Sequence, residues 1–266
     1  MGLRQNIKNA VLRICSPFDL FPVRRTDSEK VQALIKKLRP KGIDIPLIRL
    51  GPKGDGGYLI PDDLEGIEAC YSPGVSTICG FEKDCADRGM RVFLADYSVE
   101  RPPLDHERFH FTKKFIGAVS RHPFITLDEW VKETQLENDA DLLLQMDIEG
   151  YEYEALLAAS QELLRRFRIL VIEFHNLDQL WNRYFFDFAN AAFEKILQTH
   201  TCVHIHPNNC CGKVTLSRIE IPSVMEFTFL RKERVKPSGT SATFPHPLDC
   251  DNTDKPTIPL PRCWYE

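Results

Sequence analysis

From Gly66 onward, short apolar runs alternate with stretches of helical spacing, and this alternation restricts the fold more than any other feature of the chain. Leu142-Leu143-Leu144 and Ile169-Leu170-Val171-Ile172 are continuously apolar, as strands covered on both faces must be. The periodicity predicts strands at Glu68–Tyr71, Arg91–Asp96, Arg108–Phe115, Asp141–Asp147, Arg168–His175, Cys202–His206 and Met225–Arg231. It predicts helices at Cys79–Arg88, Leu127–Glu133, Tyr153–Phe167 and Gln179–Thr199. This order implies an α/β fold: a doubly wound, mostly parallel seven-stranded sheet with right-handed crossovers and helices on both faces. Only Gly212 to Val224 separates the last two strands, with no helical pattern between them. They are expected to pair as a long-looped hairpin, the last strand antiparallel to the rest.

The 266 residues suffice for one large domain, or at most two small ones. Residues 1–50 read as a helical extension, 51–232 as the α/β domain and 233–266 as a tail. Within the extension, Val31, Leu34, Ile35 and Leu38 recur at helical spacing between Ser28 and Leu38. The tail is rich in proline from Ser238 on, yet keeps Phe244, Leu248, Ile258, Leu260, Trp264 and Tyr265. It is expected to lie extended on the domain, because a solvated linker has no use for such groups. Near the N-terminus, Arg4, Lys8 and Arg13 interleave with Ile7, Val11, Leu12 and Ile14. That is a basic amphipathic helix, expected to dock on the domain or an oligomer partner, with weak peripheral membrane contact as the alternative.

Composition narrows the function classes. No apolar run approaches the ~20 residues of a transmembrane helix. The net charge is −4, without a long basic run, which argues against a nucleic-acid partner. Nine cysteines without a Cys-x-x-Cys pair argue against a zinc ribbon and for reduced, mostly buried thiols in a cytoplasmic protein.

In an open parallel sheet, ligands bind beyond the carboxyl ends of the strands. The first strand runs into Ser72-Pro73-Gly74-Val75-Ser76, a tight turn before a helix. The second ends in Asp96, at the spacing of an acid that binds a ribose diol, although a helix cap or turn would also use an aspartate there. The turn lacks a full G-x-G-x-x-G, so a pyrophosphate is a poor fit. A loop with four glycines, Gly51 to Tyr58, requires unusual backbone or close approach of a ligand. The fourth strand ends in Asp147-Ile148-Glu149-Gly150 and the fifth in Glu173-Phe174-His175. Adjacent strands lie ~4.8 Å apart, so Asp147, Glu149, Glu173 and His175 are expected to converge on one cleft. They suit a divalent cation or a base for a hydroxyl substrate. The bland alternatives are that Glu149 caps the next helix and Glu173 is a paired structural acid. His204 and His206, followed by Pro207-Asn208-Asn209, form a second candidate for a substrate loop.

The run Leu142 to Leu157, LLLQMDIEGYEYEALL, resembles the signature of FkbM-type methyltransferases, and Phe124 to Glu129 is similar to that family's lead-in. GDGGYLI at Gly54, Glu173-x-His175, HPNN at His206 and IPSVMEFTFLR are similar to a methyltransferase-like branch near it. The resemblance implies a class I methyltransferase fold, with S-adenosylmethionine as donor and small-molecule or glycan hydroxyls as acceptors. It implies Asp96 as the ribose acid and Gly74 in the first turn. The donor-binding set is then Asp55, Gly56, Gly57, Tyr58, Gly74, Glu82, Asp96 and Gly117. The catalytic set is His175, Asp147 and Glu173, with Asp147, Glu149 and Glu173 as ligands should Mg2+ or Mn2+ be used. The rival readings are an N- or nucleic-acid methyltransferase, for which no Asn/Asp-Pro-Pro-Tyr occurs, and a catalytically inactive nucleoside-binding module.

Overall fold

The computed structural model describes all residues except 1, 20, 76, 138 and 237–242, and gives no side chains for 2–4. Ser76 of the first turn and Ser238 of the tail thus lie outside the described residues. The helices are α1 (Gly2–Cys15), α2 (Ser28–Leu38), α3 (Gly80–Asp87), α4 (Leu127–Glu133), α5 (Glu152–Ala158), α6 (Gln161–Arg166) and α7 (Arg183–Thr199). The strands are β1 (Leu47–Leu50), β2 (Tyr58–Pro61), β3 (Ile67–Pro73), β4 (Arg91–Ala95), β5 (Phe109–Thr112), β6 (Phe115–Ile116), β7 (Phe124–Ile125), β8 (Asp141–Met146), β9 (Phe167–Phe174), β10 (His200–Pro207), β11 (Lys213–Leu216), β12 (Ile219–Pro222) and β13 (Met225–Arg231).

The central sheet has seven strands in the order β10-β13-β9-β8-β3-β4-β5. All pairs from β9 to β5 are parallel, and β13 is antiparallel to both β9 and β10. This is the expected α/β fold class. The crossovers reverse direction at β3, which lies between β4 and β8, so β3 marks the switch point beyond whose carboxyl end a crevice opens.

Strand residues alternate between two cores. Leu142, Leu144 and Met146 face one side, where α2, α4, α5, α6 and α7 cover the sheet. Leu143 faces the other, covered by α3 and the β1–β2 hairpin. A buried hydroxyl ties this hairpin down, as Thr228 Oγ1 donates to Leu59 O at 2.6 Å. At the amino edge, Arg168 is 6 % exposed and joins β9 to β8 and to the loop before β3. Its Nε and Nη2 donate to Asp141 Oδ2 at 2.9 and 2.5 Å, and Nη1 to the carbonyls of Asp63 and Glu65 at 2.9 and 2.7 Å.

Several elements differ from expectation for local reasons. The helix expected at Tyr153–Phe167 is two helices, because Ser160 caps α6 through its Oγ, which accepts from Leu163 N at 3.0 Å. The helix expected at Gln179–Thr199 begins only at Arg183, where Asn182 Oδ1 accepts from Tyr184 N at 3.1 Å; a 3-10 turn occupies Leu177–Trp181. The strand expected at Arg108–Phe115 breaks after Thr112, and Phe115 starts β6 instead. The link from Gly212 to Val224 is the β11–β12 hairpin.

The boundary at residues 50/51 is corrected. Val31, Leu34, Ile35 and Leu38 of α2 are at most 1 % exposed in the main core, and β1 pairs with β2, so both belong to the domain. The stretch outside the domain is shorter and consists of α1 and the residues up to Val23. Among the described residues of this stretch, Ile7, Ile14, Phe18 and Phe21 are exposed rather than docked on the domain, one of the two placements expected for the helix. The tail lies against the domain. Trp264 is fully buried beside Phe227, and its Nε1 donates to Glu220 O at 3.0 Å.

Two measurements probe this architecture. Gly74 sits at φ +94°, and a Cβ there would meet Asp147 O at 1.5 Å. Gly74→Ala is expected to cost about 2–5 kcal/mol in urea unfolding, combining backbone strain with overpacking. Gly89→Ala, at φ +93° with nothing within 4 Å, should cost only about 1–2 kcal/mol. Trp264→Ala is expected to lose about 3–5 kcal/mol. An unchanged urea midpoint would show that the tail contributes nothing to the fold.

Candidate active site

A cavity of about 580 Å³ opens at the carboxyl ends of β3, β4 and β8. Such a volume suits a ligand of cofactor size. Of the twelve residues expected in the site, eight line it: Asp55, Gly56, Tyr58, Gly74, Glu82, Asp96, Asp147 and Glu149. The walls missed in the sequence are Val75, Ile78, Phe115, Ile116, Phe124 and Tyr151, with Ser98 and Gln145 as polar additions. Phe124 stands between Phe115 and Tyr151, with ring centroids 5.6 and 5.8 Å away. These rings come from β6, β7 and the turn before α5, segments too short to show periodicity.

Gly57 and Gly117 are not part of the lining. Gly57 is glycine because its own loop folds tightly: a Cβ would lie 2.1 Å from Pro52 O and 2.7 Å from Arg49 Nη2. Arg49 holds this loop, donating from Nε to Pro52 O and from Nη2 to Gly54 O, each at 2.8 Å. Gly117 lies against Phe124, where a Cβ would meet the ring at 2.8 Å.

Asp96 ends β4, is 5 % exposed, and accepts at Oδ1 from Ser98 N and Ser98 Oγ, both at 2.7 Å. It is therefore a turn acid and a cavity wall at once. Glu82, in the first turn of α3, is buried behind Ser72, whose Oγ lies 2.5 Å from Glu82 Oε1 and 2.7 Å from Gln145 Oε1. Burial pushes Glu82 up to about 7, against the hydrogen bond from Ser72.

Asp147, Glu149 and His175 meet beside this cavity. The turn after β8 enters the left-handed region at Glu149 (φ 57°) and Gly150 (φ 103°). Glu152, fully buried at the start of α5, closes it by accepting at Oε1 from Ile148 N at 3.2 Å and Gly150 N at 3.0 Å. The same oxygen lies 3.1 Å from His175 Nδ1. A carboxylate already taking two amide protons sets the tautomer: Nδ1 carries the proton and Nε2 is turned to the acids. Nε2 is 3.5 Å from Glu149 Oε2, 3.8 Å from Glu173 Oε1 and 3.9 Å from Asp147 Oδ1. Glu152 was missed because a glutamate in a first helical turn is ordinary in sequence; only its burial against His175 reveals it.

The charges are strongly perturbed. Burial raises Asp147 to about 7, with Glu149, Glu152 and Asp55 adding to the shift and His175 opposing it. Burial pulls His175 down, but the hydrogen bond to Glu152 and the charges of Glu152, Asp147 and Glu149 outweigh it, so its pKa lies above 6.5. Tyr58 is pushed well up by burial and by Asp147, Glu173, Glu226 and Glu82.

Glu173 departs from its expected place as a metal ligand. It is 4 % exposed, and Asn208 Nδ2 donates to its Oε1 at 2.9 Å. The three groups whose ligand atoms lie within 4.8 Å of one another are Asp147, Glu149 and His175, so the histidine takes the position expected of Glu173. His204 and His206 are corrected as substrate-loop candidates. Both are buried under the tail, where Asp249 Oδ1 lies 2.9 Å from His204 Nε2 and Asp249 Oδ2 lies 3.7 Å from His206 Nδ1.

Residues 87–200 match the family described as Methyltransferase FkbM domain. A comparison with curated proteins finds no match. Among solved structures, the chain is similar to a fibrillarin/Nop5p complex, with 14 % identity, 63 % of this chain and 74 % of that one covered, and a TM-score of 0.38. It is similar to a spermidine synthase from Thermotoga maritima, with 12 % identity, coverage of 65 % and 58 %, and a TM-score of 0.35. A putative RNA methyltransferase from Pyrococcus horikoshii gives 12 % identity, coverage of 77 % and 98 %, and a TM-score of 0.34. The matched residues include Asp96, the Asp147–Gly150 turn, His175 and the block Leu142 to Leu157, so the match and that resemblance fall on the same stretch of chain.

Proposed function

We propose that the chain is an S-adenosylmethionine-dependent methyltransferase that acts on a hydroxyl of a small molecule or glycan, with His175 as the base. The observation that carries this reading is the Glu152–His175 pair, which turns Nε2 toward Asp147 and Glu149 at the edge of the cavity.

The cavity fits the donor in its chemistry. Asp96 supplies a carboxylate for a ribose diol, and Phe115, Ile116 and Phe124 supply an apolar wall for a base. Asp147 supplies negative charge for a sulfonium. When bound, adenosylmethionine provides a methyl group on positive sulfur, an electrophile that needs no further activation. The residues then have two tasks: to hold the acceptor in line, and to take its proton. His175 Nε2 accepts that proton while Glu152 stabilises the resulting imidazolium through Nδ1, as an orienting carboxylate does in a catalytic triad. The acidic surroundings of Nε2 disfavour a phosphorylated or carboxylated acceptor and suit a neutral polyhydroxyl one.

A second reading rests on the same geometry. A histidine whose Nδ1–H is held by a carboxylate, with Nε2 facing two more, is the usual arrangement of a metal ligand and its supporting acid. Asp147, Glu149 and His175 would then hold a divalent cation that acidifies the acceptor hydroxyl. The imidazole favours Mn2+ over Mg2+, which prefers an all-oxygen shell.

Two experiments test these readings. Asp96→Ala is expected to weaken adenosylhomocysteine binding by about 1.5–3 kcal/mol in calorimetry; unchanged affinity would remove Asp96 from the donor site. With a hydroxyl acceptor, methyl transfer in EDTA should rise with pH as His175 loses its proton, with the limb above 6.5 because its pKa is raised. Glu152→Gln should move that limb to lower pH, since the raising charge is gone. His175→Ala should abolish the limb and slow transfer about 10²–10⁴-fold. Loss of activity in EDTA, restored by Mn2+, would replace the base reading with the metal one.

A further inference from the structure

The segment before the domain carries apolar side chains that are exposed among the described residues. Ile7, Val11 and Ile14 follow one another at spacings of four and three along α1, and so share one face. They are 56, 38 and 69 % exposed, and Phe18 and Phe21 continue the apolar surface at 71 and 74 %. The chain first joins the domain at Arg24, whose carbonyl accepts from Arg183 N at 2.9 Å, and Thr26 N donates to Trp181 O at 2.8 Å. A 3-10 turn, Ser16–Phe18, follows α1 directly, and Asp19 after it is in the left-handed region at φ 53°.

Charge decides what fits this surface. Within Gly2–Cys15 there is no acid, while Arg4, Lys8 and Arg13 are basic; Arg24 and Arg25 follow, with Asp19 the lone acid before them. At about 100° per residue, Lys8 falls on one side of the Ile7–Val11–Ile14 stripe and Arg13 on the other, roughly 90° and 130° from its centre. Cations flanking an exposed apolar stripe suit an anionic lipid surface, where stems lie along the acyl boundary and the charged heads reach the phosphates. The whole chain carries a net charge of −4, so the excess of basic groups is local to this segment. We propose that α1, with Phe18 and Phe21, forms a peripheral membrane anchor that binds anionic lipid headgroups and lies in the interface. No helix among the described residues is long and apolar enough to cross a membrane, so contact of this kind is in-plane.

The test is co-sedimentation of the full chain with phosphatidylcholine vesicles, with and without phosphatidylserine. Binding is expected only with phosphatidylserine, and is expected to fall steeply with added salt. Lys8→Gln and Arg13→Gln should each weaken it about fivefold, the effect of one basic residue near an anionic surface. Ile14→Asp with Phe18→Asp should abolish it, while adenosylhomocysteine binding stays unchanged and reports an intact domain. Failure to sediment with either vesicle overturns the proposal, including the case in which ultracentrifugation shows a dimer that Ile14→Asp dissociates. Equal binding to both vesicles, indifferent to Lys8→Gln and Arg13→Gln, overturns it as well.

Discussion

The approach of Asp147 O to the α-carbon of Gly74 is the constraint on which the site depends. Gly74 N donates to Ala95 O at 3.0 Å, and Asp147 N donates to Pro73 O at 3.3 Å. Three strand ends are thereby drawn together where the crossovers reverse. Any side chain at Gly74 would lie inside the Asp147 carbonyl, so the two strands could meet only by parting. Because they meet, Asp96 and Asp147 open onto the same cavity from opposite sides of β3.

The far side of that cavity is governed by electrostatics. Asp147, Glu149, Glu152 and Glu173 surround His175, and no lysine or arginine side chain is hydrogen-bonded to any of them among the described residues. Burying carboxylates together is costly, and the raised pKa values of Asp147 and Glu173 register that cost. His175 reduces it only when protonated. The site therefore favours positive charge, as the raised pKa of His175 shows.

The tail and the glycine loop act as supports for this region. Arg49 Nη1 reaches Leu248 O at 3.5 Å, and Asn252 Nδ2 donates to Glu226 Oε1 at 2.8 Å. Asn209 Nδ2 donates to the carbonyls of Thr253 and Lys255 at 2.9 and 2.6 Å. The tail thus closes the edge of the sheet next to Glu173 and shields the buried His204–Asp249 pair. That closure explains why its apolar residues persist in a proline-rich stretch.

The alternation of apolar runs and helical patterns determined the sheet, because a strand covered on both faces has to be apolar throughout, and Leu142–Leu144 and Ile169–Ile172 are. The titratable groups at strand ends were legible for the same reason: a polar group at the end of an apolar run marks the rim of the sheet, which is how Asp96, Asp147, Glu149 and His175 stood out. Local pattern could not say what a side chain at a strand end or in a loop meets in the fold. Glu173 turns to Asn208, Gly57 is tight against Pro52, and His204 and His206 lie beneath Asp249, each decided by contacts with residues distant in the chain. Glu152 and the rings of Phe115 and Phe124 were invisible for the complementary reason. Their roles come from burial against partners that only tertiary folding brings near, and a single glutamate or a two-residue strand has no periodicity to announce it.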